Sequence, residues 1–123
     1  MKLNHINLVV ENVENSIHFF ETYFNFKCQE IKGDKIVAIL TGSGDFTLVL
    51  MKNKKESPTY PEGFHIGFLL GSKEKVNETY HHLKSGGLVK NGEPKKIRDS
   101  FGFYFTFENI KIEVGHYFEI EKG

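Results

Sequence analysis

The chain repeats itself. Asn4-His5-Ile6-Asn7-Leu8-Val9-Val10 is matched about 60 residues later by Phe64-His65-Ile66-Gly67-Phe68-Leu69-Leu70. Both runs are rich in branched and aromatic residues and read as strands. Asn12 and Ser72, residue types that cap helix N-termini, follow at the same offset. A period near half of a 123-residue chain means two copies of one supersecondary unit. Few folds are built that way.

After Asn12, Val13, Ile17, Phe20 and Phe24 recur at helical spacing; after Ser72, Val76, Tyr80 and Leu83 do the same. Lys84-Ser85-Gly86-Gly87 supplies a helix stop. Three strands are predicted behind each helix, at 26–31, 35–40 and 46–51 in the first half and at 88–90, 103–107 and 110–114 in the second. The expected fold is therefore α+β: two βαβββ modules, about 1–52 and 63–120, joined by a hydrophilic linker over 52–63 within one domain spanning 1–123. Neither module can cover both faces of its own sheet, so the two are expected to pair into a half-barrel around a shared cleft. A ferredoxin-like order places its helices elsewhere, and a doubly wound sheet needs more of them.

Composition removes several function classes. Sixteen Lys plus Arg balance sixteen Asp plus Glu, which argues against a dedicated nucleic-acid or anionic-membrane binder. No run approaches the ~20 apolar residues of a membrane span. The first residues lack the apolar segment of a secretion signal, so a cytoplasmic location is expected. A single cysteine, Cys28, leaves no internal disulfide and no cysteine-based zinc site, and it reads as an inert strand residue. His18, His81 and His82 should lie on exposed helix faces.

Alternation along the strands sorts the remaining polar residues. Ile6, Leu8 and Val10 should pack beneath the first helix, leaving His5, Asn7 and Val9 on the opposite face. Ile66, Phe68 and Leu70 should pack in the second module, leaving His65, Gly67 and Leu69. Ile110, Ile112 and Val114 pack on the last strand, leaving Lys111, Glu113 and Gly115. A two-residue turn at Glu108-Asn109 would set Tyr104 opposite Glu113 and Thr106 opposite Lys111. His5, His65 and Glu113 are suitable ligand types for a divalent ion such as Zn, Mn, Fe or Ni. From the residues alone, ordinary solvated polarity explains them equally well.

The sequence resembles the vicinal oxygen chelate superfamily, which includes glyoxalase I and the fosfomycin-resistance, bleomycin-resistance and extradiol dioxygenase proteins. Three stretches carry the likeness: Asn12-Val13-Glu14-Asn15-Ser16-Ile17-His18-Phe19-Phe20, Gly63-Phe64-His65-Ile66-Gly67-Phe68, and Arg98-Asp99-Ser100-Phe101-Gly102-Phe103-Tyr104-Phe105 with Ile112-Glu113-Val114. The resemblance implies metal ligands at His5, His65 and Glu113. It also implies a small substrate whose adjacent oxygens chelate the metal, in a lyase or thiol-transferase reaction. Tyr104, Thr106 and Lys111 are the candidate catalytic groups beside the metal, and Arg98 and Asn7 the candidate substrate contacts. Two departures stand out. The family's Asp-Pro-x-Gly hairpin is replaced by Glu108-Asn109. Val49 stands where glyoxalase I would carry a further carboxylate, which argues against that particular activity. The alternative is metal-free ligand sequestration of the bleomycin-resistance type, with Phe46, Phe101, Phe103 and Tyr117 lining an apolar pocket or serving as core. A homodimer is expected, with the cleft formed within one chain or from modules of two.

Overall fold

The computed structural model describes residues 1–54 and 58–118; part of the expected linker, 55–57, lies outside the described residues, as do 119–123. The chain divides into two compact units, Met1–Thr59 and Tyr60–Gly123. Each contains one helix and one four-stranded sheet, so the α+β class and the two βαβββ modules stand.

In the first unit, β1 (His5–Val10), α1 (Val13–Tyr23), β2 (Lys27–Lys32), β3 (Val37–Thr41) and β4 (Thr47–Lys52) follow in order. The sheet order is β1-β4-β3-β2, with β1 and β4 parallel. Asn12 caps α1 by accepting from the Asn15 amide, a contact typically worth about 1 kcal/mol. The core lies between helix and sheet: Phe19 and Phe20 of α1 and Leu8, Val10, Leu40 and Leu50 of the strands are all essentially buried. The alternation that buries Leu8 and Val10 leaves His5 and Asn7 exposed. Strand β3 begins two residues later than expected because Gly33 and Lys35 take left-handed φ values of 63° and 59° in the preceding turn. Extended pairing cannot include them.

In the second unit, β5 (His65–Leu69), α2 (Lys73–Ser85), β6 (Lys95–Ile97), β7 (Ser100–Phe107) and β8 (Ile110–Tyr117) form the order β5-β8-β7-β6. Ser72 caps α2 through the Lys75 amide. Val76, Tyr80 and Leu83 pack on Phe103, Ile110, Ile112 and Val114, and Tyr80 meets Phe103 edge-to-face at 5.3 Å. His18, His81 and His82 are exposed on their helices.

The expected strand at 88–90 is absent. The Leu88 amide is committed to the Leu83 carbonyl at the helix end, Gly87 sits at φ 78°, and Val89 is buried, so the segment closes α2 instead of pairing. The first strand after α2 is instead the polar Lys95–Ile97. The last hairpin runs further than expected, to a Ser100–Tyr117 pair.

Candidate functional site on the helix-free face of the second unit

The β7–β8 hairpin turns on Glu108 and Asn109, whose φ values of 53° and 64° are both left-handed. A two-residue loop with both centres left-handed matches the twist of the strands it joins and fixes their register. Tyr104 therefore pairs with Glu113 and Thr106 with Lys111. The parallel β5–β8 pairing sets His65 beside Lys111 and Gly67 beside Glu113. Since Ile110, Ile112 and Val114 are fully buried under α2, Lys111 and Glu113 take the other face, together with His65, Tyr104 and Thr106.

Four of these side chains meet around Tyr104. The Tyr104 hydroxyl donates to Glu113 Oε2 at 3.2 Å. Lys111 Nζ lies 4.8 Å from the centroid of the Tyr104 ring, inside cation–π range. The His65 ring meets the same tyrosine edge-on at 6.0 Å. The Tyr104 phenol is held above its ordinary pKa, first by burial and then by the negative charge and hydrogen bond of Glu113. Arg98, exposed in the turn between β6 and β7 at φ 53°, pulls that pKa the opposite way through its charge.

His65 Nδ1 lies 3.0 Å from the Gly63 carbonyl. A carbonyl only accepts, so Nδ1 carries a proton, and in the neutral tautomer this leaves Nε2 with its lone pair for another partner. His5 has the same arrangement, with Nδ1 donating to Asn4 Oδ1 at 2.8 Å. A backbone or side-chain acceptor behind the distal nitrogen is the usual support of a metal-ligating histidine. With the Glu113 carboxylate, the donor set suits a borderline divalent ion. Among the described residues, no group of three His, Cys, Asp or Glu is assembled to hold a metal. The second unit brings together two expected ligands, His65 and Glu113, with Tyr104, Thr106 and Lys111. His5 and Asn7 share the helix-free face of the first unit.

The two sheets also make the Val49 comparison exact in position. Val49 pairs with Asn7, two residues after His5, as Glu113 pairs with Gly67, two residues after His65. The first unit carries a valine at the place where the second carries its carboxylate.

The aromatic candidates divide. Phe103 is buried against Tyr80 while also lining a hollow at the β6–β7 edge, and Phe101 lies beneath Lys73 of α2 on the helix side. Phe46 is half-buried just before β4, and Tyr117 is 55% exposed at the end of β8. His116 is half-buried and donates from Nδ1 to the Leu70 carbonyl. Sequence reasoning missed a 420 Å³ hollow beside Tyr104, reached by Lys95, Ile97 and Gly102. Its signal was Gly102, the one residue without a side chain inside the aromatic run 100–107.

A model of the Glyoxalase/Bleomycin resistance protein/Dioxygenase superfamily matches residues 2–120. A solved structure described as a possible glyoxalase from Bacillus cereus is 33% identical, with a TM-score of 0.78 over 93% of this chain and 97% of that one. Two more distant structures share the fold. The genomically encoded fosfomycin resistance protein FosX from Listeria monocytogenes is 22% identical, covering 94% of this chain and 93% of that one at a TM-score of 0.75. A glyoxylase/bleomycin resistance protein/dioxygenase domain from Frankia is 16% identical, covering 96% and 98% at 0.80.

Proposed function

The chain belongs to the glyoxalase/bleomycin resistance protein/dioxygenase superfamily, and on that premise we propose that it is a divalent-metal-dependent enzyme acting on a small substrate with two adjacent oxygens. His5, His65 and Glu113 would hold the ion, of the Zn, Mn, Fe or Ni type. When bound, such an ion supplies Lewis-acid stabilisation of oxyanion charge, worth several kcal/mol of barrier. The observation that carries the reading is the Tyr104–Glu113 hydrogen bond beside a histidine whose Nδ1 proton is already engaged.

The remaining roles belong to the chain's own side chains. Tyr104 keeps its phenol proton at neutral pH, and that single proton, held by Glu113 in the resting site, would turn to oxygen charge developing beside the carboxylate. Lys111 adds positive charge over the same ring, and Thr106, opposite it, offers a hydroxyl. The Arg98 fork suits a carboxylate or phosphonate of the substrate, and Asn7 supplies an amide. With Val49 in place of a second carboxylate, the fitting reactions are lyase or thiol-transferase steps that need no base at that position.

A homodimer would assemble this set either within one chain or, by swapping, with His5 from one subunit and His65 and Glu113 from the other, and the swapped case has a direct test. Mixing His5→Ala with Glu113→Ala protein under subunit exchange then restores one intact site per heterodimer. No recovery despite exchange places all three ligands in one chain, and a monomer in sedimentation removes the dimer. Activity is tested by screening hemithioacetals, epoxides with thiols, and hydroxy acids, with and without chelator. Turnover abolished by chelator supports the reading. Turnover indifferent to chelator contradicts it, and tight binding without turnover in metal-free protein assigns sequestration instead.

A further inference from the structure

The chain holds nine asparagines, and only Asn91 is followed by glycine. An asparagine side chain carries its carbonyl carbon within reach of the next residue's backbone nitrogen, and a glycine there has no Cβ to screen that nitrogen. Whether the two atoms can meet is then decided by the fold. Asn12 is occupied as the α1 cap, Asn15 and Asn77 lie inside helices, and Asn7 lies in β1. Asn109 precedes the buried, β-branched Ile110, and the other three precede His5, Phe26 and Lys54. Asn91 has no such protection. It lies in the loop between α2 and β6, exposed together with Gly92 and Glu93, between the buried Val89 and the half-buried Pro94. A Cβ built on Gly92 would meet nothing within 4 Å, so no neighbouring element covers this peptide. Among the described residues, no hydrogen bond engages Asn91 or Gly92.

We propose that Asn91-Gly92 is a self-modification site, where the asparagine converts without an enzyme to aspartate and isoaspartate. The Gly92 backbone nitrogen gives up its proton to solvent and attacks the Asn91 side-chain carbonyl carbon. A C–N bond forms, closing a cyclic imide, and the side-chain nitrogen leaves as ammonia. Water then opens the imide at either carbonyl, leaving an ordinary aspartate or a backbone routed through the former side chain. Both products place a new negative charge beside Glu93, and isoaspartate also lengthens the backbone by a methylene. That extra atom enters just ahead of a strand held to β7 by the pairs Lys95↔Gly102, Lys96↔Phe101 and Ile97↔Ser100. Pro94, between loop and strand, has no amide with which to add a further bond. The modified loop therefore loosens the β6 edge, a segment with little pairing to lose.

The test ages the intact protein in mildly alkaline buffer, followed by isoelectric focusing and by peptide mapping with an isoaspartate-specific methyltransferase. One acidic species should accumulate, labelled in the peptide that holds Asn91, at about the same rate in native protein as in urea. The rate should rise with pH, because the attacking nitrogen must lose a proton. Asn91→Gln, whose longer side chain closes the ring far more slowly, should show no such species over the same time. Hydrogen exchange in β6 should be faster in aged than in fresh wild type, while the α2 amides keep their protection. A label at another asparagine, an acidic species that persists in Asn91→Gln, or a native rate far below that in urea overturns the site. Unchanged exchange along β6 in fully converted protein overturns the loosening.

Discussion

Tyr104 and Glu113 are direct partners across the last hairpin, and the phenol donates to the carboxylate at 3.2 Å. The bond joins a group suited to stabilising oxyanion charge to one suited to holding a cation. Replacing Tyr104 with Phe should cost less than about 1 kcal/mol in urea unfolding, because the residue is 39% exposed. Turnover should fall by about a hundredfold. A large loss of stability with activity kept would make the pair structural.

The same contact has a pH signature. In metal-free protein the Tyr104 phenol should ionise above the ordinary value of about 10, because burial and Glu113 both oppose its anion. The stabilisation linked to a raised pKa is fully present below the unfolded value and is lost as pH rises through the folded one. It is therefore intact at neutral pH and disappears only in strong alkali. A phenolate absorbance titration of wild type against Tyr104→Phe isolates this group; Glu113→Gln should lower its midpoint.

The register that makes the contact depends on a turn with an unfavourable first residue. Glu108 holds φ 53°, a left-handed conformation that costs a residue with a Cβ about 1–2 kcal/mol and that glycine adopts freely. Glu108→Gly should stabilise by about 1 kcal/mol and leave the Tyr104–Glu113 cross-strand contact in nuclear Overhauser spectra. A changed cross-strand pattern would show that the turn does not set the register.

Much of this was legible beforehand because period and parity are local signals. The offset between His5 and His65 exposed the two modules, and the buried set Ile110, Ile112 and Val114 fixed which way Glu113 points. What escaped depended on tertiary pairing. Lys95–Ile97 has no apolar alternation, and only the free edge of β7 makes it a strand. Leu88–Lys90 looks extended, but its first amide closes the helix. The hollow beside Tyr104 is lined from both β6 and β7, which only tertiary pairing brings together.

Tyr80 offers a test of the second core. It is 2% exposed, and among the described residues its hydroxyl has no hydrogen-bond partner. Burying such a group unsatisfied costs about 1–3 kcal/mol. Tyr80→Phe should therefore raise the unfolding midpoint, with a gain of about 1 kcal/mol. A lower midpoint would reveal a partner for the hydroxyl, such as an internal water.

Cys28 should react slowly. Burial raises its thiol pKa above the ordinary value, and the Glu21 carboxylate, which accepts from the Cys28 amide at 2.9 Å, raises it further. Iodoacetamide alkylation near neutral pH should be slower than for a free thiol, and Glu21→Gln should accelerate it. Alkylation as fast as that of free cysteine would contradict the assignment.

The central claim is the ligand set, and calorimetric titration of metal-free protein with zinc or nickel addresses it most directly. One ion should bind per chain in wild type. His5→Ala, His65→Ala and Glu113→Gln should each weaken binding by about a hundredfold or more, whereas His116→Ala, at a position paired with Phe101 on the face of β8 opposite Glu113, should leave it unchanged. Unaltered affinity in His65→Ala or Glu113→Gln would contradict the account.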